Sequence, residues 1–255
     1  MIFDPITLAK GWLSVAVASG DDKFRPALHR TVCIEQFGDG IRLVATDSYV
    51  LLRAWVPGAE HPDAAEPSLD EAPVTTAVAI DEHRRAKGLL EHLLKLGEDE
   101  AEEVRITLGA VGAAKRQPNL DGMDVRWVAI EHPGHERVEL AAYEGGFPSW
   151  RKPASEFVAE STPAIALSNW VVAKLAKFTK LWGAHSMRVH FGGVNRLALI
   201  DVADSYPSVE GLAMPVRWDF ERGTPRVDVV PDDDAGNPLA DDEGGPDDPL
   251  RSVIG

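Results

Sequence analysis

The chain carries 255 residues, 44% of them hydrophobic, with a formal charge of −15, enough length for one large or two ordinary domains and a substantial core. The acidic balance excludes a protein held to nucleic acid by phosphate contacts over its whole surface. The charge is uneven, however: from Asp228 to Gly255 nine acids face one base, Arg251, a net −8 that leaves the rest at −7 of the −15.

In chain order, Met1-Ile2-Phe3 is interrupted by Asp4 and Pro5, so the start lacks the charged head and apolar core of a signal peptide. Asp4-Pro5 reads instead as an N-cap with proline at the first helical position, opening a helix that ends near Gly20. Strands follow at 29–37, 41–46 and 49–56, the first two split by the turn Gly38-Asp39-Gly40. Cys33, alone of its kind, lies in an alternating run and reads as a small buried strand residue in a reducing compartment. A Pro/Ala/acid connector spans 57–73, then a strand at 74–80, a helix from Asp81 to Gly97, and strands at 103–108, 124–130 and 137–143, with a polar loop over 112–122. The third series is a strand at 164–167, Ser168 as N-cap, a helix at 169–182, and strands at 187–191, 196–202 and 211–218. Three times, then, a helix is followed by a group of strands. Beyond Trp218 the density of Asp, Gly and Pro suits no core, and roughly 231–255 reads as disordered. No run approaches the length of a membrane-spanning helix, so the expected location is cytoplasmic.

Turning 100° per residue, the second helix sets Ala86, Leu89, Leu90, Leu93 and Leu96 on one side and Arg84, Arg85, Lys87, His92 and Lys95 on the other. The third sets Val171, Val172, Leu175, Phe178 and Trp182 against Lys174, Lys177 and Lys180. One such helix alone is an ordinary solvated face. Two of them inside an acidic chain shift that balance.

Three further segments stand out: Leu43-Val44-Ala45-Thr46-Asp47-Ser48-Tyr49-Val50-Leu51-Leu52, Tyr143-Glu144-Gly145-Gly146-Phe147-Pro148-Ser149-Trp150-Arg151-Lys152, and Leu212-Ala213-Met214-Pro215-Val216-Arg217. In this order and spacing, each at the edge of an expected strand, they resemble the bacterial β sliding clamp family, the rings that tether DNA polymerase to its template. That family has an ATDGHRLA-like strand pair, a GxFPDYRR linker and a terminal MPMRL strand. The resemblance implies an α+β DNA clamp fold of repeated βαβββ units, with helices on one face and antiparallel sheets on the other. It implies a clamp domain over 1–145, a linker over 146–153, a second, half domain over 154–222 and an acidic disordered tail over 223–255.

By the same resemblance, Arg84, Arg85, Lys87, Lys95, Lys174, Lys177 and Lys180 would face duplex DNA without regard to sequence. Lys23 and Arg25 sit in a loop similar to one that touches DNA in the family. A partner-peptide groove would be walled by Thr46, Ser48, Tyr49, Leu51, Pro153, Leu212, Met214, Pro215, Val216 and Arg217, with Ser48-Tyr49 replacing the family's Gly-His. Its partners would be a replicative polymerase and a clamp loader. The short length suggests a phage or other mobile replicon.

No phosphate loop, HExxH, GxSxG or CxxC is present, His132-Pro133-Gly134-His135 reads as a turn rather than a metal site, and no enzyme activity, cofactor or metal is expected. One rival keeps the groove and drops the ring, as an adaptor or decoy that captures clamp-binding peptides. Another is a hydrolase whose site escapes motif reading. Three units also leave the third without its partner half, so an even-numbered homo-oligomer is expected, with a trimer of two-domain chains as the alternative.

Overall fold

The computed structural model describes residues 1–19, 31–71, 73–96, 103–110, 125–143, 147–161, 165–193, 196–202, 209–216, 218–219 and 224–225. Its helices are α1 (Pro5–Ala16), α2 (Ile80–Leu93), α3 (Arg151–Ser155) and α4 (Asn169–Leu181). Its strands are β1 (Ile2–Phe3), β2 (Thr31–Gln36), β3 (Gly40–Thr46), β4 (Val50–Pro57), β5 (Val74–Ala79), β6 (Val104–Ala110), β7 (Val125–Glu131), β8 (Val138–Ala141), β9 (Arg188–Phe191), β10 (Ala198–Asp201), β11 (Val209–Ala213), β12 (Trp218–Asp219) and β13 (Thr224–Pro225). The chain divides into two compact units, Met1–Val216 and Arg217–Gly255. In the second, β12 and β13 pair as a short antiparallel ribbon; the expected disordered tail from 223 thus begins on two paired residues, and 226–255 lie outside the described residues.

The first unit builds two sheets, ordered β1-β6-β7-β8 and β5-β2-β3-β4-β11-β10-β9. The first two βαβββ repeats exchange their leading strands: β5, at the head of the second repeat, pairs with β2, while β1, at the head of the first, pairs with β6. The third repeat joins the first through β4 and β11, with Leu51 opposite Leu212 and Leu52 opposite Gly211. Gly211 is needed there, because a Cβ on it would come within 2.7 Å of Leu52 Cδ2 and 3.1 Å of the Leu51 carbonyl oxygen.

Strand alternation sorts the two faces of the seven-stranded sheet. Val32, Ile34, Leu43, Ala45, Leu52, Ala54, Ile200 and Ala213 point inward to one core shared with Leu8 and Trp12 of α1, Leu90 and Leu93 of α2, and Val171, Leu175 and Phe178 of α4. Burying each Leu or Ile contributes about 1.5–3 kcal/mol. The opposite face carries a smaller cluster of Cys33, Val44, Leu51, Trp150 and Leu212. Cys33 is buried, and burial together with Glu35 raises its thiol pKa well above the ordinary value, which fits the expectation of a structural residue.

α1 starts as expected: the Asp4 carboxylate accepts a hydrogen bond from the Thr7 amide at 2.6 Å, and Pro5 occupies the first turn. α2 buries Ala86, Leu90 and Leu93 and exposes Arg84, Arg85, Lys87 and His92, as its periodicity dictates, and Lys95 is exposed just past its end. α1 meets α2 through Trp12, whose Nε1–H donates to His83 Nδ1 at 2.9 Å. Burial, with the Lys87 and Arg84 charges, pushes His83 down from 6.5 to about 4. A histidine whose folded value lies below its unfolded one contributes stability above the unfolded value and loses it as pH falls toward the folded one. The fold is therefore expected to weaken between pH 6.5 and about 4, and His83→Gln is expected to flatten that part of an acid-unfolding curve. An unchanged curve would place the acid sensitivity elsewhere.

Four expectations are corrected. Of the strand expected over 164–167, residues 165–167 form none, and 164 lies outside the described residues. The strand expected over 211–218 stops at Ala213, because Pro215 has no N–H with which to continue the ladder. Val172, assigned to the apolar stripe of α4, is 43% exposed. The short helix α3 begins within the expected linker, over Arg151–Ser155, where no helix was expected.

Candidate functional site

The β3–β4 turn is set by Asp47, whose Oδ1 accepts the amides of Tyr49 and Val50, each at 2.9 Å. Ser48 adopts φ +80°, a conformation that favours glycine. The turn projects Tyr49, 46% exposed, beside Met214, 44% exposed, and the Met214 amide donates to the Tyr49 carbonyl at 2.7 Å. Trp170 of α4 meets Tyr49 edge to face at 5.1 Å. Two motifs far apart in sequence thus lie side by side because β4 and β11 are hydrogen-bonded neighbours.

The expected groove residues fall into two sets. Tyr49, Met214 and exposed Ser48, with half-buried Val216, form an accessible rim, while Pro215 is buried. Leu51 and Leu212, 9% and 5% exposed, lie in the outer-face cluster under Trp150, with Phe147, Leu69 and Ala154 packed around them. Thr46 is buried, its hydroxyl accepting the Ser48 amide at 3.1 Å. Pro153 is half-buried in α3. Arg217 lies outside the described residues.

Beneath this region runs a charged network that sequence reading missed. Arg42, fully buried, donates from Nε to Glu66 at 2.6 Å, from Nη1 to Glu35 at 3.2 Å and from Nη2 to the Pro67 carbonyl. Arg53 bonds Glu66 and Glu210. The linker locks onto the same centre: Trp150 Nε1–H donates to Glu35 at 3.2 Å and Arg151 to Glu35 at 2.8 Å. The connector over 57–73, read from composition as a spacer, therefore supplies Glu66 and Leu69 to the outer face of the sheet. A signal was present: Glu35 and Arg42 are cross-strand partners, and Glu35, Arg42 and Arg53 all stand on the outward parity of their strands.

Of the expected DNA-facing cations, Arg84, Arg85, Lys87, Lys95, Lys177 and Lys180 are exposed on α2 or just past its end and on α4. Lys87 is within 3.5 Å of Glu91. Lys174 is drawn inward: its ammonium donates to Asp47 Oδ2 at 2.8 Å and to the Ala18 carbonyl at 3.2 Å, and lies 5.5 Å over the Trp170 ring. It ties the helix layer to the Tyr49 turn rather than facing solvent. Lys23 and Arg25 lie outside the described residues. His132 to His135 forms a turn, the His135 amide donating to the His132 carbonyl at 3.1 Å with Gly134 at φ +77°. Among the described residues no group of His, Cys, Asp and Glu side chains is arranged to hold a metal, and no helix is long and apolar enough to cross a membrane.

Solved structures with the same arrangement include the DNA polymerase III β subunit of Thermotoga maritima, with TM-score 0.59 at 13% identity over 86% of this chain and 65% of that one. The chain has the fold of a DNA sliding clamp. The DNA polymerase III β subunit of Pseudomonas aeruginosa aligns with TM-score 0.57 at 15% identity over 85% of this chain and 66% of that one. The DNA polymerase sliding clamp of Bacillus subtilis aligns with TM-score 0.52 at 14% identity, over 85% and 64%. The chain thus spans just under two thirds of the length of these clamps. No family model and no curated protein sequence matches it.

Proposed function

We propose that this chain is a sliding clamp: a non-enzymatic processivity factor whose assembled copies encircle duplex DNA and offer the Tyr49–Met214 rim to short peptides of a replicative polymerase and its clamp loader. The observation that carries this reading is the set of exposed cations on the helix layer of a clamp fold. In a chain of net charge −15, the helices packed against the inner sheet faces expose Arg84, Arg85, Lys95, Lys177 and Lys180, the arrangement that suits weak, exchangeable phosphate contacts inside a ring. A ring holds DNA by topology, so no base-specific contact is required.

The rim supports the second half of the proposal. Tyr49 and Met214 are large, apolar and about half exposed, and methionine repacks around different side chains, which suits one site serving several peptides. Met214→Ala is expected to weaken binding of a peptide from the cognate polymerase by about 1 kcal/mol or more, with no change in unfolding midpoint. Calorimetry reads the first and urea denaturation the second. Unchanged affinity in a folded variant would remove Met214 from the site. DNA encirclement has a separate test, retention on closed circular DNA.

A further inference from the structure

We propose that Lys174 is the positioning residue of the rim, keeping the β3–β4 turn in the strained form that Ser48 gives it and so fixing where Tyr49 stands. Its part in peptide capture rests on the peptide reading of the rim. The positioning itself does not.

Ser48 stands at φ +80°, a conformation that a residue with a Cβ keeps only where its surroundings hold it there. The turn therefore needs bonds that oppose its relaxation. Asp47 supplies two, its Oδ1 accepting the Tyr49 and Val50 amides at 2.9 Å each, and the Thr46 hydroxyl accepts the Ser48 amide at 3.1 Å. The Asp47 side chain is only 4% exposed, however, and a carboxylate placed so deep is costly unless a cation is paired with it. Lys174 is that cation, its Nζ donating to Asp47 Oδ2 at 2.8 Å.

The same ammonium supports the other end of Tyr49. It lies 5.5 Å from the centroid of Trp170, one helical turn back on α4, and the Trp170 ring meets that of Tyr49 edge to face at 5.1 Å. The backbone of Tyr49 thus reaches Lys174 through Asp47, and its ring reaches Lys174 through Trp170. A further bond to the Ala18 carbonyl at 3.2 Å, past the end of α1, fixes the ammonium itself. What this arrangement presents is an exposed ring already in place: Tyr49 is 46% exposed beside Met214, whose amide donates to the Tyr49 carbonyl at 2.7 Å. A side chain ordered before contact spares the partner the cost of ordering it.

The chain has three tyrosines, Tyr49, Tyr143 and Tyr206, so 3-fluorotyrosine labelling of the full-length protein gives three fluorine resonances, and Tyr49→Phe identifies the one from the rim. Lys174→Met, similar in length but uncharged, is expected to move that resonance and leave the other two in place. It is also expected to lower affinity for a peptide from the cognate polymerase by about two- to tenfold, the range for ordering one side chain on binding. Two changes are expected to return the resonance most of the way: Lys174→Arg, which keeps the cation, and Ser48→Gly added to Lys174→Met, because glycine holds a positive φ without help. A lysine that merely supported the fold would not be relieved through Ser48. A rim resonance unmoved in folded Lys174→Met overturns the proposal, and so does a shift that Ser48→Gly leaves uncorrected. If Lys174→Met does not fold, Asp47→Asn carries the same test, since it weakens the Lys174 bond and keeps an oxygen for the two amides. A moved resonance in a protein whose unsubstituted form binds no peptide would leave the positioning standing and remove the peptide reading, so the two failures are distinct.

Discussion

Arg42→Ala is expected to destabilise the fold by about 3–5 kcal/mol, the range for removing one partner from a buried ion-pair network. Arg42 is fully buried and bonds Glu35, Glu66 and the Pro67 carbonyl, and its guanidinium lies 5.0 Å from the Phe37 ring centroid and 5.7 Å from that of Trp150. Without it, Glu35, 3% exposed, retains only the Trp150 indole and Arg151 among these partners, and Glu66 retains Arg53. The loss acts on three segments at once, the sheet, the connector carrying Glu66 and the linker carrying Trp150. Arg42→Lys is expected to recover only part of it, since an ammonium lacks the planar fork that reaches three acceptors. Urea unfolding measures both. A loss below about 1 kcal/mol, the scale of an exposed pair, would show that connector and linker hold the sheet by apolar contact alone.

Neutralising Arg84, Arg85, Lys95, Lys177 and Lys180 together to Gln is expected to lower loading onto DNA and processivity while leaving peptide affinity unchanged. Each phosphate that the protein no longer neutralises takes about 0.9 off the slope of log affinity against log salt on duplex DNA, so the variant is expected to show a flatter salt dependence as well as weaker binding. Lys174→Ala is expected to behave differently. Its ammonium is committed to Asp47 and the Ala18 carbonyl, so its removal should disturb the Tyr49 turn and peptide binding more than the salt slope. Equal loss of DNA and peptide binding in the fivefold variant would indicate general destabilisation and remove these cations from a DNA-facing role.

Local chemistry was readable where one residue type dominates the outcome. Asp4-Pro5 announced α1, the spacing of Ala86, Leu90 and Leu93 oriented α2, and the motif around Thr46 to Leu51 located the turn that projects Tyr49. Long-range pairing was not readable in the same way. Nothing local to Ile2-Phe3 shows that two residues leave their own repeat to join β6, or that β11 docks on β4 rather than on another strand. Charged residues misled for a related reason. Glu35, Arg42, Arg53 and Glu66 look like solvent-facing strand and loop residues until the linker and connector cover them, and Lys174 looks like its neighbours Lys177 and Lys180 until Asp47 is placed beside it. Pro215 was the reverse case: its missing N–H marked the end of β11 in the sequence, yet the apolar run around it suggested a longer strand.

Encirclement is tested most directly by retention on closed and cut DNA. The full-length chain, loaded with its cognate clamp loader onto nicked circular DNA, is passed through gel filtration at a salt concentration that strips ordinary electrostatic binders, before and after the circle is cut once. The clamp reading predicts that the protein elutes with the circle and is released when the same DNA becomes linear. Equal retention on both forms would show binding by contact rather than by topology and would contradict it.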